Sequence, residues 1–147
     1  MNRLIFVSLA ALLAAAPLQA KTNPADLKWG PAPDALPSGA EMAVVSGDPG
    51  KKGMFVIELK MPANYAVPAH WHPTDETLKV LSGKLHYGMT DKLDMTKAKT
   101  LTAGNSVTMK AKMNHWVHAP AAATVQVSGM GPFQITYVDP KEDPRKK

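Results

Sequence analysis

The sequence predicts a small all-β protein built from one globular domain. It has 147 residues, of which 45% are hydrophobic and 20% are charged, and this composition is that of a folded chain. Its apolar residues fall in short segments rich in β-branched and aromatic side chains, with turn residues between them. Strands that recur in this way are typical of a β-sandwich or a β-barrel.

Each predicted strand is bounded by glycine, proline or another turn residue. Glu76–Leu81 and Lys84–Tyr87 are separated only by Ser82 and Gly83, so they predict a hairpin. A weak helical pattern over residues 93–99 is interpreted as a loop. The predicted strands are residues 42–45, 54–60, 76–81, 84–87, 106–109, 124–127 and 133–138.

Residues 1–20 predict a signal peptide. Arg3 supplies a positive start, residues 4–16 are small or apolar, and Ala20 is a small residue at the expected cleavage point. The apolar run is shorter than the roughly 20 residues that span a membrane, and no cysteine follows that could carry a lipid. We therefore expect an exported, periplasmic protein that has no stable membrane anchor after cleavage.

The remaining chain divides into three parts by composition. Residues 21–38 are rich in proline and predict an arm that wraps the surface. Residues 39–139 contain all the predicted strands and form the domain. Residues 140–147 are charged and broken by proline, so they predict a frayed tail.

Charge and composition exclude several classes of function. The net charge of +5 comes from scattered lysines rather than from one basic element, which argues against a nucleic-acid partner. The absence of cysteine excludes disulfides, thiolate metal sites and cysteine nucleophiles. A catalytic triad, a phosphate-binding loop and a dinucleotide fingerprint are also missing from the sequence.

Four of the five histidines fall in two clusters, and one cluster includes an acid. His70 and His72 are two residues apart, so in an extended chain both project to the same side. Glu76 has the same parity and follows a turn that contains proline. Two imidazoles and a carboxylate on one side describe a site for a divalent metal, and a barrel could return His115 as a fourth ligand.

These residues resemble the two signature motifs of the cupin superfamily. The first motif is matched by His70-x-His72-x3-Glu76-x6-Gly83, and the second, in part, by Gly104-x10-His115. The flanks Gly47–Pro49 and Gly129–Phe133 are similar to those of small bacterial cupins grouped as ChrR-like. The chain departs from the family where the usual glycines fall at Asn64 and Lys112, the proline at Lys110 and the asparagine at Ala119.

The resemblance implies a small antiparallel cupin barrel, also described as a jelly roll or double-stranded β-helix, that is often dimeric, so a homodimer is expected. It also implies one metal ion bound by His70, His72, Glu76 and His115. The nitrogen and oxygen ligands admit Fe, Mn, Ni, Cu, Co or Zn and do not choose among them. Six-coordinate geometry would leave two positions open for water, substrate or dioxygen.

Other side chains near the motifs receive lesser roles. His118, three residues after His115, is expected at the rim, while His86 could face inward or lie on the surface. Trp71, Trp116 and Asp75 each adjoin a predicted ligand and should point away from the metal. Tyr65, Tyr87, Met109 and Met113 are candidates either for the pocket or for ordinary core packing.

Three functions remain open from the sequence. The first is a metal-dependent enzyme such as an oxygenase, a dioxygenase included, that acts on a small molecule. The second is a non-catalytic module that binds or senses a metal or a small ligand. The third is a metal-dependent isomerase or hydrolase, because a cupin fold specifies a site and not a reaction.

Overall fold

The computed structural model describes residues 26–147, which form two antiparallel β-sheets and three short 3-10 turns. The predicted signal peptide and the first five residues of the arm lie outside the described residues. Within the described range the strands are β1 (Gly30–Pro31), β2 (Glu41–Ser46), β3 (Gly53–Met61), β4 (Tyr65–Trp71), β5 (Glu76–Ser82), β6 (Lys84–Gly88), β7 (Lys99–Thr102), β8 (Ser106–Met109), β9 (His115–Ala119), β10 (Ala123–Gly131) and β11 (Thr136–Tyr137).

The strands are ordered as in a jelly-roll barrel. One sheet has the order β1-β2-β3-β10-β5-β8, and the other has the order β11-β4-β9-β6-β7. Neighbours in each sheet are mostly distant in sequence, so the chain passes repeatedly between the two sheets. This arrangement confirms the predicted all-β cupin-type fold.

The core lies between the two sheets and follows the period-two pattern of the strands. On β3, Phe55, Ile57 and Leu59 are buried, and on β10 Val125 and Val127 are buried. In the register of the sheet, Val125 lies opposite Leu59 and Val127 opposite Ile57. Such cross-strand pairs stabilise a sheet when they share its apolar face.

The sequence pattern did not show β4 and β9, which carry two of the four candidate ligands, His70 and His115. Pro68 interrupts β4, and β9 has histidines at its first and fourth positions, so neither segment has a clear apolar alternation. Only residues 136–137 of the predicted strand 133–138 form a strand. The predicted loop at 93–99 contains a single 3-10 turn at Met95–Lys97.

The arm and the tail are both attached to the barrel. The hydroxyl groups of Tyr65 and Tyr137 donate hydrogen bonds to the backbone oxygens of Pro37 (2.5 Å) and Ala35 (2.8 Å). The tail is not frayed: it forms 3-10 turns at Pro140–Glu142 and Pro144–Lys146, because Arg145 donates to Asp143 and to a backbone oxygen of the barrel. Among residues 26–147, helices are too short and too polar to cross a membrane.

Candidate metal centre

The structure brings the four predicted ligands together inside the barrel. His70 lies near the end of β4 and His72 just after it, while Glu76 opens β5 and His115 opens β9. One potential ligand atom from each residue lies within 4.8 Å of the others, and all four residues are buried. The parity argument for His70, His72 and Glu76 therefore agrees with the geometry.

A register shift in β4 places His70 on the inner face. Val67 lies opposite Val117 on β9, and His70 lies opposite His115, so β4 has one extra residue in this interval. A bulge of this kind reverses the alternation of side chains. Without it, His70 would point away from the core that Val67 faces.

Backbone oxygens orient all three imidazole rings. The Nδ1 atoms of His70 and His115 lie 2.7 Å and 2.9 Å from the oxygens two residues earlier, those of Pro68 and Met113. The Nδ1 atom of His72 lies 2.7 Å from the oxygen of Gln134. A carbonyl oxygen only accepts hydrogen bonds, so each Nδ1 carries the proton and each neutral ring keeps its Nε2 lone pair free for a cation.

The nitrogen and oxygen atoms inside the cluster all direct lone pairs at one another unless a proton or a cation lies among them. The Glu76 Oε2 atom is 3.4 Å from His72 Nε2 and 3.1 Å from His115 Nε2. Both of these nitrogens are buried and have no hydrogen-bond partner among the described residues. Lone pairs of two imidazoles and a carboxylate therefore converge, and this donor set fits a divalent metal ion.

Burial and mutual charge separate the pKa values in the cluster. Burial, with the adjacent His115 and His72, lowers the pKa of His70 to about 3, so this ring stays neutral. Burial disfavours protonation of His72 as well, but the Glu76 carboxylate raises its pKa above 6.5. Burial acts to raise the pKa of Glu76, yet the close contacts with His115 and His72 hold it well below its usual range. Glu76 is therefore an anion at neutral pH.

The cavity around the cluster is small and apolar. Its volume is about 30 Å³, and side chains from both sheets, such as Leu59, Val67 and Val127, line it with the four polar residues. A site of this size holds one or two water-sized groups. Phe133 also lines the cavity and stacks on the His72 ring, with 4.6 Å between ring centroids and an interplanar angle of 23°.

Two departures from the family motif coincide with unusual backbone conformations. Asn64 and Lys112, which stand where the family usually has glycine, have φ angles of 63° and 62°. These values lie in the left-handed region that glycine adopts without strain. The Lys112 amide also donates a hydrogen bond to the His72 oxygen (2.8 Å), which links the two motifs.

The remaining histidines lie outside the cluster. His118 is opposite His86 on β6, and the two rings stack with centroids 6.0 Å apart. The His86 Nδ1 atom bonds Thr100, while the His118 Nδ1 atom is buried without a partner among residues 26–147. Neither ring joins the four-residue group, and His86 does not face inward toward it.

The other neighbours of the motifs serve the scaffold. Asp75 is exposed and pairs with Lys110, and the Trp116 indole donates to Thr90. Tyr65 fastens the arm, Met109 is core and Met113 is exposed. Neither methionine nor Trp71, Trp116, Tyr65 or Tyr87 lines the cavity.

Sequence reasoning missed the apolar lining of the cavity. Leu36 comes from the arm, and Phe133 and Ile135 come from the segment between β10 and β11. Leu36 and Ile135 belong to no motif, and Phe133 ends the Gly129–Phe133 flank, to which the sequence analysis assigned no role in a cavity. The nearest signal was the predicted packing of the arm against the domain.

Comparisons with known proteins agree with the fold. The Cupin domain family matches residues 57–128. No protein of curated function matches the sequence. The fold is similar to that of the polyketide cyclase RemF from Streptomyces resistomycificus, with a TM-score of 0.71 and 15% identity over 88% of this chain and 92% of that chain.

Two further solved structures share the fold at low sequence identity. One is a provisionally assigned acetylacetone dioxygenase from Methylibium petroleiphilum, with a TM-score of 0.64 and 21% identity over 90% of each chain. The other is a sugar phosphate isomerase from Silicibacter pomeroyi, with a TM-score of 0.61 and 18% identity over 80% of this chain and 81% of that chain. The ChrR-like grouping is not tested by these matches and stays a prediction. The family match and the two-sheet barrel together identify the chain as a small single-domain cupin.

Proposed function

We propose that this cupin is an exported metalloenzyme that binds one divalent transition metal and oxygenates a small organic molecule. The observation that carries the proposal is that one potential ligand atom from each of the three histidines and from Glu76 lies within 4.8 Å of the others. The Nδ1 atoms of the histidines are committed to backbone oxygens, so the inward lone pairs are available to a metal.

The residues of the site have distinct tasks in this proposal. His70, His72 and His115 hold the metal as neutral ligands, and Glu76 supplies an anionic oxygen that offsets part of the metal charge. A bound transition metal would supply Lewis acidity and, for a redox-active ion, electron transfer with dioxygen. The apolar side chains around the ligands exclude bulk water, which strengthens electrostatic interactions inside the site.

The names of the structural neighbours indicate that proteins with this fold catalyse several different reactions. Their names include a cyclase, a provisionally assigned dioxygenase and an isomerase, and identities of 15–21% extend only the fold to this chain. The apolar lining argues against a sugar phosphate, because a buried phosphate needs cationic or hydrogen-bonding partners. An uncharged substrate that reacts with dioxygen fits the lining better.

A non-catalytic metal-binding module is the second candidate. The observation that favours it is the small volume of the cavity, about 30 Å³, which holds little besides the metal and one or two water-sized groups. In this case the protein would bind or sense the metal and consume no oxygen.

Metal analysis and oxygen uptake distinguish the two candidates. Protein purified from its native compartment without added metal should contain about one Fe, Mn, Ni, Cu, Co or Zn ion per chain. Oxygen consumption with a panel of small organic compounds should then depend on that metal. Failure to consume oxygen when loaded with Fe, Mn, Cu or Ni would support the binding module or a non-redox reaction.

Export, partners and assembly are parts of the proposal with their own measurements. Mass spectrometry of the native protein should show a mature chain that begins near residue 21, and fractionation should place it in the periplasm, free of the membrane. An uncleaved chain in the cytoplasm would contradict export. Light scattering should give the mass of a homodimer, and no affinity for nucleic acid is expected.

A further inference from the structure

A second cavity lies beside the metal centre at one end of the barrel. It has a volume of about 200 Å³, and it lies between the arm and the loops that flank β3 and β10. We call it the outer chamber. Pro33 and Gly50, both exposed, stand at its edge, and the buried Ile57 lines it from the barrel.

One wall separates the outer chamber from the metal cavity. Leu36, Phe133 and Ile135 line both spaces, so a molecule in the chamber is one side chain away from the candidate ligands. Phe133 also stacks on the His72 ring, and its amide donates to the Pro49 oxygen (2.6 Å) at the edge of the chamber. The wall therefore contacts the candidate metal ligands on one side and the edge of the outer chamber on the other.

The wall residue from the arm is held at two points. The oxygens of Ala35 and Pro37, on either side of Leu36, accept hydrogen bonds from Tyr137 and Tyr65. The Leu36 amide donates to the Pro33 oxygen (2.9 Å), which closes a turn. These contacts keep the Leu36 side chain at the boundary between the two cavities.

The lining of the outer chamber selects for an uncharged molecule. Among the described residues, its walls are formed by proline, glycine and apolar side chains, with no ionisable group. The oxygens of Pro49 and Ala35 already accept hydrogen bonds from the protein. A carboxylate, a phosphate or a sugar in the chamber would lose its water without gaining partners, at a cost of several kcal/mol.

The volume sets the size of the molecule. An engineered apolar cavity of about 150 Å³ binds benzene or xenon, whereas pockets for drug-sized ligands have volumes of about 300–1,000 Å³. The outer chamber, at about 200 Å³, fits a molecule close to benzene in size. The metal cavity, at about 30 Å³, admits only the reacting end of such a molecule.

We infer that the outer chamber is the substrate site and that the substrate is a small, uncharged, predominantly apolar molecule whose reacting end passes the Leu36–Phe133–Ile135 wall to reach the metal. The inference rests on the proposed function for the role of substrate. Binding in the chamber does not require the metal ligands, so it is measured separately.

The test compares two probes of similar shape and different charge. The full chain, metal-loaded and metal-free, is titrated with benzene and with benzoate while the methyl groups of Leu36, Ile57 and Ile135 are followed by NMR. Benzene should shift these signals saturably in both states and should show intermolecular nuclear Overhauser effects to them. Benzoate should cause no saturable shift. Benzene without effect, or benzoate binding as tightly as benzene, would overturn the inference.

Two variants test whether benzene binds in the outer chamber. Ala35→Leu adds three carbon atoms at a residue that lines the chamber and should weaken benzene binding at least tenfold without loss of metal. Ala121→Leu, the same change at an exposed position, should bind benzene as the wild type does. Equal affinity in the two variants would overturn the assignment. If Ala35→Leu does not fold, the Overhauser contacts in the wild type decide the location.

The outcomes also separate this inference from the proposed function. If the wild-type protein binds metal and consumes oxygen but does not bind benzene, the proposed metalloenzyme function stands and the inference about the outer chamber is wrong. A protein that binds benzene at the chamber but never binds metal overturns the metalloenzyme, and with it the substrate role of the chamber. His115→Ala should lose metal while keeping its affinity for benzene.

Discussion

The second sheet carries histidines on both faces, and the two groups differ in almost every respect. On the inner face, His70, His72 and His115 are buried around an acid, and each Nδ1 atom is paired with a backbone oxygen. On the outer face, His86 and His118 are half-buried and stack on one another, and no carboxylate of residues 26–147 pairs with either ring. The two groups therefore differ in the orientation of the rings and in a nearby anion, and under the proposed function these features, rather than clustering alone, make a metal site.

The largest expected difference between the faces is in metal affinity. His115→Ala removes an inward Nε2 ligand and should weaken binding at least about 100-fold, because even the loss of an outer-shell partner costs 10–100-fold. His118→Ala, three residues along the same strand, should leave affinity unchanged. Competition with a chelator of known affinity measures both. Equal losses in the two variants would show that the ligand assignment is wrong.

Removal of the Glu76 charge tests whether the anion near the inner histidines contributes to metal binding. Glu76→Gln keeps the shape of the side chain but removes the charge, and should weaken metal binding at least about tenfold. Asp75→Asn is the matched control, because Asp75 is exposed and bonds Lys110 and the Ala111 amide. It should keep full metal affinity. A Glu76→Gln protein with wild-type affinity would mean that the imidazoles alone hold the metal.

Acid should weaken metal binding on the inner face. Neutral imidazoles bind metals, so protons compete with the ion as pH falls. Burial keeps the pKa of His70 near 3, whereas Glu76 raises that of His72 above 6.5, so His72 is the first of these two rings to be protonated. Affinity should therefore fall by about tenfold per pH unit below about pH 6.5, in line with the loss of one proton on binding. Metal content that stays constant down to pH 4 would contradict this.

The inner-face tyrosines that hold the arm should have a smaller effect. Tyr137→Phe removes a hydrogen bond to Ala35 and should lower the free energy of unfolding by about 1 kcal/mol, or a few degrees in Tm. Tyr87→Phe, which does not hold the arm, is the control. Calorimetry measures both variants, and an equal loss would show that the arm contact contributes nothing.

Alkaline pH acts on the same contacts. Burial raises the pKa of Tyr65 to about 12 and that of Tyr137 further, whereas both titrate near 10 in the unfolded chain. The unfolded chain therefore loses these protons first, and the stability they contribute is present below pH 10 and decreases between pH 10 and 12. Tyr65→Phe should lose less stability than the wild type over this interval. Parallel curves would exclude the tyrosines as the cause.

The smallest expected effect concerns a loop that joins the two motifs. Lys112 has a φ of 62°, so Lys112→Gly should relieve strain and raise the free energy of unfolding by up to about 1 kcal/mol. Ala111→Gly, at the adjacent position without a positive φ, should lower it by about 0.5–1 kcal/mol through chain entropy. Chemical denaturation measures both, and destabilisation by Lys112→Gly would refute the strain.

The clustering of His70, His72 and Glu76 was predictable because its signal is local. His70, His72 and Glu76 lie within seven positions, where strand parity decides which side chains converge. The bulge before His70 and the carbonyl partners of the rings were not predictable, since they depend on backbone pairing between β4 and β9. The outer chamber was also not predictable from the sequence, because Leu36, Met42 and Phe133 meet there only through the topology of the barrel.

The ring orientations at the metal centre are fixed by main-chain oxygens, and this has an evolutionary consequence. No single side-chain replacement at Pro68, Met113 or Gln134 deletes the acceptor that aims each imidazole. The outer chamber, by contrast, is shaped by side chains that any point mutation alters. Point mutations can therefore change the size and shape of the chamber while the orientation of the three imidazole rings is retained.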